Sequence, residues 1–217
     1  MAALKPGLRR SRCAAWPNGI VEVLPWQPSQ LPDYPEIFRV SNRAEHGLTE
    51  VGRSWHSDGA YLAQPREISI FHIVSVPIEG GETEFASLHS AFDAAPPGLI
   101  QRLWGKKSLF ATRITHPIIM RHPVTGRLGF YVKLSTSTQI LDESEEESRI
   151  IFRDIQRLIE LHGKAYSHRW RHGDIVVVDN FSVAHRAHEV RGDSLRILHR
   201  TTIVGGGRIL TGAHIRR

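Results

Sequence analysis

His56 and Asp58 stand two residues apart in the stretch Trp55-His56-Ser57-Asp58-Gly59-Ala60-Tyr61. On an extended backbone the side-chain period is two, so the imidazole and the carboxylate point to the same side. Two histidines and one carboxylate on one face of a metal ion, with the other face open, is the ligand arrangement of non-haem Fe(II) oxygen chemistry. The chain has 13 histidines, so a His-x-Asp pair also arises by chance, and a second occurs at His172-Gly173-Asp174. A third ligand must come from a distant strand that folds back. His185 and His188, which follow Asp179-Asn180, are both candidates.

Arg196 and Arg200 lie four apart in a β-type run, so they face one way and can line one pocket. An arginine offers a carboxylate a planar, permanently charged fork. Burying two cations together is costly unless anions pair with them, which points to anionic ligands.

The elements that would carry these groups are mostly strands. Residues 37–42 and 68–76 read as strands, the second as a buried one ending at Pro77, with a tight Glu-Gly-Gly-Glu-Thr turn at 79–83. Residues 87–95 and 96–107 suit two short helices, with Pro97 at a helix start. Strand character returns at 108–113 and 117–132, with a hairpin turn at 123–126. Residues 143–163 form the strongest helix, with acids in the first turns, an apolar stripe at Ile150, Ile151, Ile155, Leu158, Ile159 and Leu161, and Gly163 as the stop. Residues 174–180, read as a buried strand, and 194–205 complete the pattern. Strands at both ends around a helical insertion predict a mainly β fold, a sandwich or jelly roll with helices packed outside.

The length of 217 residues fits one domain. The single cysteine, Cys13, excludes an intramolecular disulfide and a cysteine-based zinc site, and favours a reducing compartment such as the cytoplasm. No apolar run reaches the roughly 20 residues of a membrane span. The net charge of +6 is scattered and forms no dense basic stripe, so it favours local binding of a small anion over nucleic acid. The first 21 residues contain no acid, a composition compatible with organelle targeting or with an irregular terminus.

Taken in order, the motifs Trp55-His56-Ser57-Asp58, Gly80-Gly81-Glu82-Thr83, His122–Arg127, Trp170–Asn180, His185 and Leu195–Arg200 resemble the taurine dioxygenase / 2,4-D dioxygenase family of Fe(II)- and 2-oxoglutarate-dependent oxygenases. The resemblance covers residues 36–206, with 1–35 as an irregular N-terminal segment and 207–217 as a tail. It implies a double-stranded β-helix (jelly-roll) core flanked by α-helices. It also implies Fe(II) held by His56, Asp58 and His185, and 2-oxoglutarate gripped at its far carboxylate by Arg196 and Thr83. Arg200 matches the position that meets the substrate's anion. On this reading His172-Gly173-Asp174 is a structural turn and His188 lies outside the site.

The implied reaction hydroxylates a C–H bond of a small, anionic substrate, consuming O2 and releasing succinate and CO2. The presence of Asp58 argues against halogenation, which needs that coordination position free. A homo-oligomer, dimer or tetramer, is implied as well. Only 55 residues precede His56, so the layer that usually helps to build the substrate pocket is expected to be missing or replaced. Gly59-Ala60 is smaller than the family commonly has and is expected to widen the mouth of the site. Phe181 stands where the family often has arginine. Trp55 and Tyr61 read as packing residues; Tyr131 and Lys133, on the strand after the hairpin, are within reach of the pocket but read first as core or surface. Two alternatives remain: a degenerate jelly roll that binds metal or a small acid without turnover, and a hydrolytic zinc enzyme using the same three ligands.

Overall fold

In the computed structural model, residues 29–205 are described throughout, together with the backbone of 15–16, 19–20 and 210–211. Cys13, most of the basic N-terminal stretch with its targeting reading, and most of the tail lie outside the described residues. In chain order the elements that build the site region are β1 (Tyr34–Ser41), β2 (Ile68–Ser75), β3 (Thr83–Ser87), α1 (Leu88–Asp93), α2 (Pro97–Leu103), β4 (Lys107–Phe110), β5 (Thr115–Pro117), β6 (Ile119–Arg121), β7 (Leu128–Phe130), β8 (Ser137–Ile140), α3 (Glu145–His162), β9 (Tyr166–His168), β10 (Ile175–Asp179), β11 (Val183–Ala187) and β12 (Ile197–Gly205).

The larger sheet runs β1-β12-β2-β10, antiparallel throughout. Gln30–Leu31 extends it beside β1, and Gly19–Ile20 pairs with the end of β12. Sheet structure therefore begins before residue 36, inside the segment expected to be irregular. Likewise Leu210–Thr211, in the expected tail, pairs with β6. The smaller sheet runs β9-β3-β11 and continues through single bridges from His185 to His56 and from His56 to Lys133. The two sheets pack face to face through Phe71, Ile73, Val178 and Leu198 against Phe85 and Val183. This is the jelly-roll core expected from the sequence.

The runs 68–76 and 174–180 are not buried on both faces. Ser69, Phe71 and Ile73 point inward, whereas Val74, Ile175 and Val177 are exposed. Their continuous apolar character matched a fully buried strand, but an antiparallel sheet keeps one face outside.

The helices close the outer face of the smaller sheet. Ser87 and Ser144 cap α1 and α3, their hydroxyls accepting from the Ser90 and Glu147 N–H groups. α3 buries Ile151, Phe152, Ile155 and Ile159 in a cluster with Leu88, Leu103, Phe130 and Ile140. Leu161, expected in that stripe, is 65% exposed because at about 100° per residue it falls outside the helix face that carries Ile151, Ile155 and Ile159. The predicted hairpin joins β6 to β7. It is pinned by His122, whose Nδ1 accepts from the Val124 and Thr125 N–H groups and whose Nε2 donates to Asp179 Oδ2 at 2.7 Å.

Candidate active site

The main chain sets His56 and His185 side by side. The His56 N–H donates to the His185 carbonyl at 3.1 Å, and the His185 N–H returns to the His56 carbonyl at 2.8 Å. Their ring centroids are 4.2 Å apart. Asp58 brings Oδ1 to 3.8 Å from His56 Nε2 and Oδ2 to 3.8 Å from His185 Nε2. One ligand atom from each of the three lies within 4.8 Å of the others, and all three residues are buried. That spacing accommodates an ion about 2 Å from each donor. His56 Nδ1 sits 2.8 Å from the Ser54 carbonyl. A carbonyl only accepts, so Nδ1 carries the proton and the Nε2 lone pair is free for a metal.

Asp58 is held from behind. Ser69 Oγ donates to Oδ2 at 2.8 Å and accepts from Asn180 Nδ2 at 2.9 Å, while Asn180 Oδ1 accepts from the Asp58 N–H at 3.2 Å. Arg200 Nη1 donates to Oδ1. Sequence reasoning passed over Ser69 and Asn180. The available signal was a serine on the inward face of β2, among Phe71 and Ile73. Ser69→Ala is expected to weaken metal binding roughly 10–100-fold, as loss of a partner behind a ligand does. Chelator competition measures it, and an unchanged affinity would make Ser69 a packing residue only.

Burial lowers the pKa of both histidines, that of His185 to about 3, with His56 its next largest influence. Burial alone would raise the Asp58 carboxyl; Arg200, His185, His56 and the Ser69 hydroxyl outweigh it and hold Asp58 below the usual carboxylate range. The unfolded chain binds a proton on each histidine near pH 6.5, while the native site does so only at lower pH. Their contribution to stability is therefore complete above about pH 6.5 and is lost as pH falls, by up to about 1.4 kcal/mol per pH unit for each histidine. Chemical denaturation of the metal-free protein should show a lower midpoint at pH 5 than at pH 7.5. A midpoint independent of pH would mean that the two rings are not buried in neutral form.

The cluster opens into a cavity of about 490 Å³. Arg196, Leu198 and Arg200 line it together, in keeping with the alternation expected of that run. Arg196 is 4% exposed. Its Nε donates to the Gly81 carbonyl at 2.9 Å and its Nη2 to Thr83 Oγ at 3.3 Å. Thr83 Oγ also accepts from Trp170 Nε1 at 3.0 Å. With both acceptor positions taken, the Thr83 hydroxyl proton is left to donate to a further group. Burial, and then Arg53, lower the Arg196 pKa to about 10. No carboxylate among the described residues lies within ion-pair distance of it. Gly81 leaves room for the Arg196 side chain: its φ is +71°, and an added Cβ would come within 2.9 Å of Arg196 Cδ.

Other expectations fare differently. His188 is turned away, pairing with Glu84 at 3.1 Å. Asp174 accepts from the Arg171 N–H and pairs with His168, so His172-Gly173-Asp174 is a turn. Gly59-Ala60 does not widen the cavity mouth. A Cβ on Gly59 would meet Arg66 Cγ at 2.4 Å, and Ala60 is buried with Phe110, Met120, Tyr131 and Phe181. Trp55 is packing, as expected, with the Arg186 guanidinium over its ring. Tyr61 and Lys133, read as packing and as core or surface, both line the cavity.

Residues 23–202 match the family described as Taurine catabolism dioxygenase TauD, TfdA family. The chain belongs to this family. An alkylsulfatase of Acinetobacter baylyi is 27% identical over 195 residues, covering 74% of this chain and 59% of its own length. An alpha-ketoglutarate-dependent sulfonate dioxygenase of Saccharomyces cerevisiae is 28% identical over 176 residues, covering 72% of this chain and 42% of its own. The chain thus spans less than two thirds of these TauD/TfdA relatives. The crystal structure of a putative alpha-ketoglutarate-dependent taurine dioxygenase from Burkholderia xenovorans superposes with a TM-score of 0.76 at 25% identity, covering 90% of this chain and 73% of that one.

Proposed function

We propose that this TauD/TfdA family member is an Fe(II)- and 2-oxoglutarate-dependent dioxygenase that hydroxylates a small anionic molecule. The observation that carries the reading is one cavity joining the His56–Asp58–His185 cluster to a buried arginine with no acidic partner among the described residues. A hydrolytic zinc site would need the cluster but gives no role to Arg196 and Thr83.

His56 Nε2, His185 Nε2 and the Asp58 carboxylate would hold Fe(II), leaving the cavity side open. Arg196 would pair with the far carboxylate of 2-oxoglutarate, and the Thr83 hydroxyl would donate to it. The bound iron and cosubstrate supply O2 activation, with the overall balance R–H + 2-oxoglutarate + O2 giving R–OH + succinate + CO2. The chain's own part is positioning. Ser69, Asn180 and Arg200 fix the orientation of Asp58, the paired backbones of His56 and His185 fix the imidazoles, and Phe71 against His185 keeps water from that side.

Anaerobic addition of Fe(II) and then 2-oxoglutarate to the purified protein tests the reading. A weak visible charge-transfer band is expected, followed by succinate when air is admitted. Folded protein that gives neither would leave the degenerate, binding-only alternative.

A further inference from the structure

Among the described residues four cations line the cavity: Arg53, Lys133, Arg196 and Arg200. Three are already accounted for. Arg53 pairs with Glu50 at 3.7 Å, Arg200 is engaged with Asp58, and Arg196 has the position suited to the cosubstrate's carboxylate. Lys133 makes no ion pair with a described residue and has no assigned ligand, its attraction to Asp58 acting beyond contact distance. It is half-buried, and no acidic group among the described residues lies within ion-pair distance of its ammonium. Its backbone bridges to His56, which fixes it beside the metal cluster, and its Nζ stands 4.2 Å from the centroid of the Tyr61 ring. An aromatic face steadies such a cation without neutralising it.

We propose that Lys133, seated on Tyr61, binds the anionic head group of the substrate and so selects what enters. The proposal rests on the dioxygenase reading and gives it a substrate determinant beside Arg200, whose Nη1 is committed to Asp58 while its buried Nε has no hydrogen-bond partner among the described residues. The chemistry of the residue narrows the class. A guanidinium fork matches a planar carboxylate in two parallel hydrogen bonds, whereas an ammonium is a compact charge with three rotatable donors. Lys133 should therefore accept tetrahedral and planar anions alike: short-chain sulfonates, sulfate esters and carboxylates.

The test compares hexanesulfonate, hexyl sulfate and hexanoate with uncharged hexan-1-ol. Each is titrated anaerobically into wild type, Lys133→Met and Lys133→Arg, all loaded with Fe(II) and 2-oxoglutarate. Wild type should bind all three anions at least about 10-fold more tightly than the alcohol, a margin typical of one partly desolvated charge pair. Lys133→Met should bring the anions to within about 2-fold of the alcohol, and Lys133→Arg should restore a preference, strongest for hexanoate. In succinate assays the loss in Lys133→Met should fall on KM more than on kcat.

An anion preference that survives Lys133→Met, or none in wild type, overturns the proposal. If Lys133→Met does not fold, Lys133→Gln is read by the same criterion. Protein that forms no succinate, yet loses its anion preference in Lys133→Met, would refute the dioxygenase reading and leave Lys133 as an anion site.

Discussion

Replacing His185 by alanine should abolish metal retention and succinate formation together. His185 is buried, with its ring against His56 and Phe71. Among the described residues no second imidazole stands ready to replace it, since His188 is turned outward onto Glu84. The loss should exceed the roughly 10–100-fold that removal of a supporting partner costs, because a donor itself is gone. Metal content after dialysis and the charge-transfer band measure it, with far-UV circular dichroism to separate loss of the site from loss of the fold. A folded His185→Ala protein that keeps the band would mean that another group completes the set.

Arg196→Ala should act on the cosubstrate and spare the metal. Truncating one partner of a buried, hydrogen-bonded charge pair costs about 2–5 kcal/mol, or about 30-fold and upward in affinity. The KM for 2-oxoglutarate should rise accordingly while Fe(II) affinity stays close to wild type. Thermal melts give an independent reading. On the proposed reading 2-oxoglutarate binds only the folded state, so it should raise the Tm of wild type, and the mutant should lose that shift at the same ligand concentration. An unchanged 2-oxoglutarate requirement would remove Arg196 from the site.

Much of this was legible in the sequence because it depends on local periodicity. His56 and Asp58 share a side through the two-residue alternation of extended chain, and Arg196 and Arg200 share the cavity for the same reason. The capped, acid-led helix over 145–162 follows from its own residues. Choosing between the two His-x-Asp pairs, and between His185 and His188, required the family resemblance, because the competing motifs are locally alike. What local pattern could not reveal was contact between distant segments. Asp58 and Asn180 are 122 positions apart, and Arg200 reaches Asp58 across 142. Tyr61 reads as packing because nothing in its own neighbourhood marks the cavity it borders, and the strand after the hairpin leaves Lys133 open between the pocket and core or surface. The outward faces of β2 and β10 misled for a different reason. Valine and isoleucine favour strands whichever way they point, so an apolar run does not by itself report two-sided burial.

The reciprocal backbone pair between His56 and His185 also sets the order in which the molecule becomes competent. A nascent chain presents its His-x-Asp early, but the remaining imidazole emerges only after the helical insertion and β10 have been made. Contacts between such distant segments require closing a large loop, and topologies rich in them fold slowly. Until that closure the chain holds two donors of three and lacks the Arg196 pocket. A partly synthesised or partly folded chain therefore cannot present His56, Asp58, His185 and Arg196 in one place, and on the proposed reading any oxidising chemistry would be confined to molecules that have finished folding.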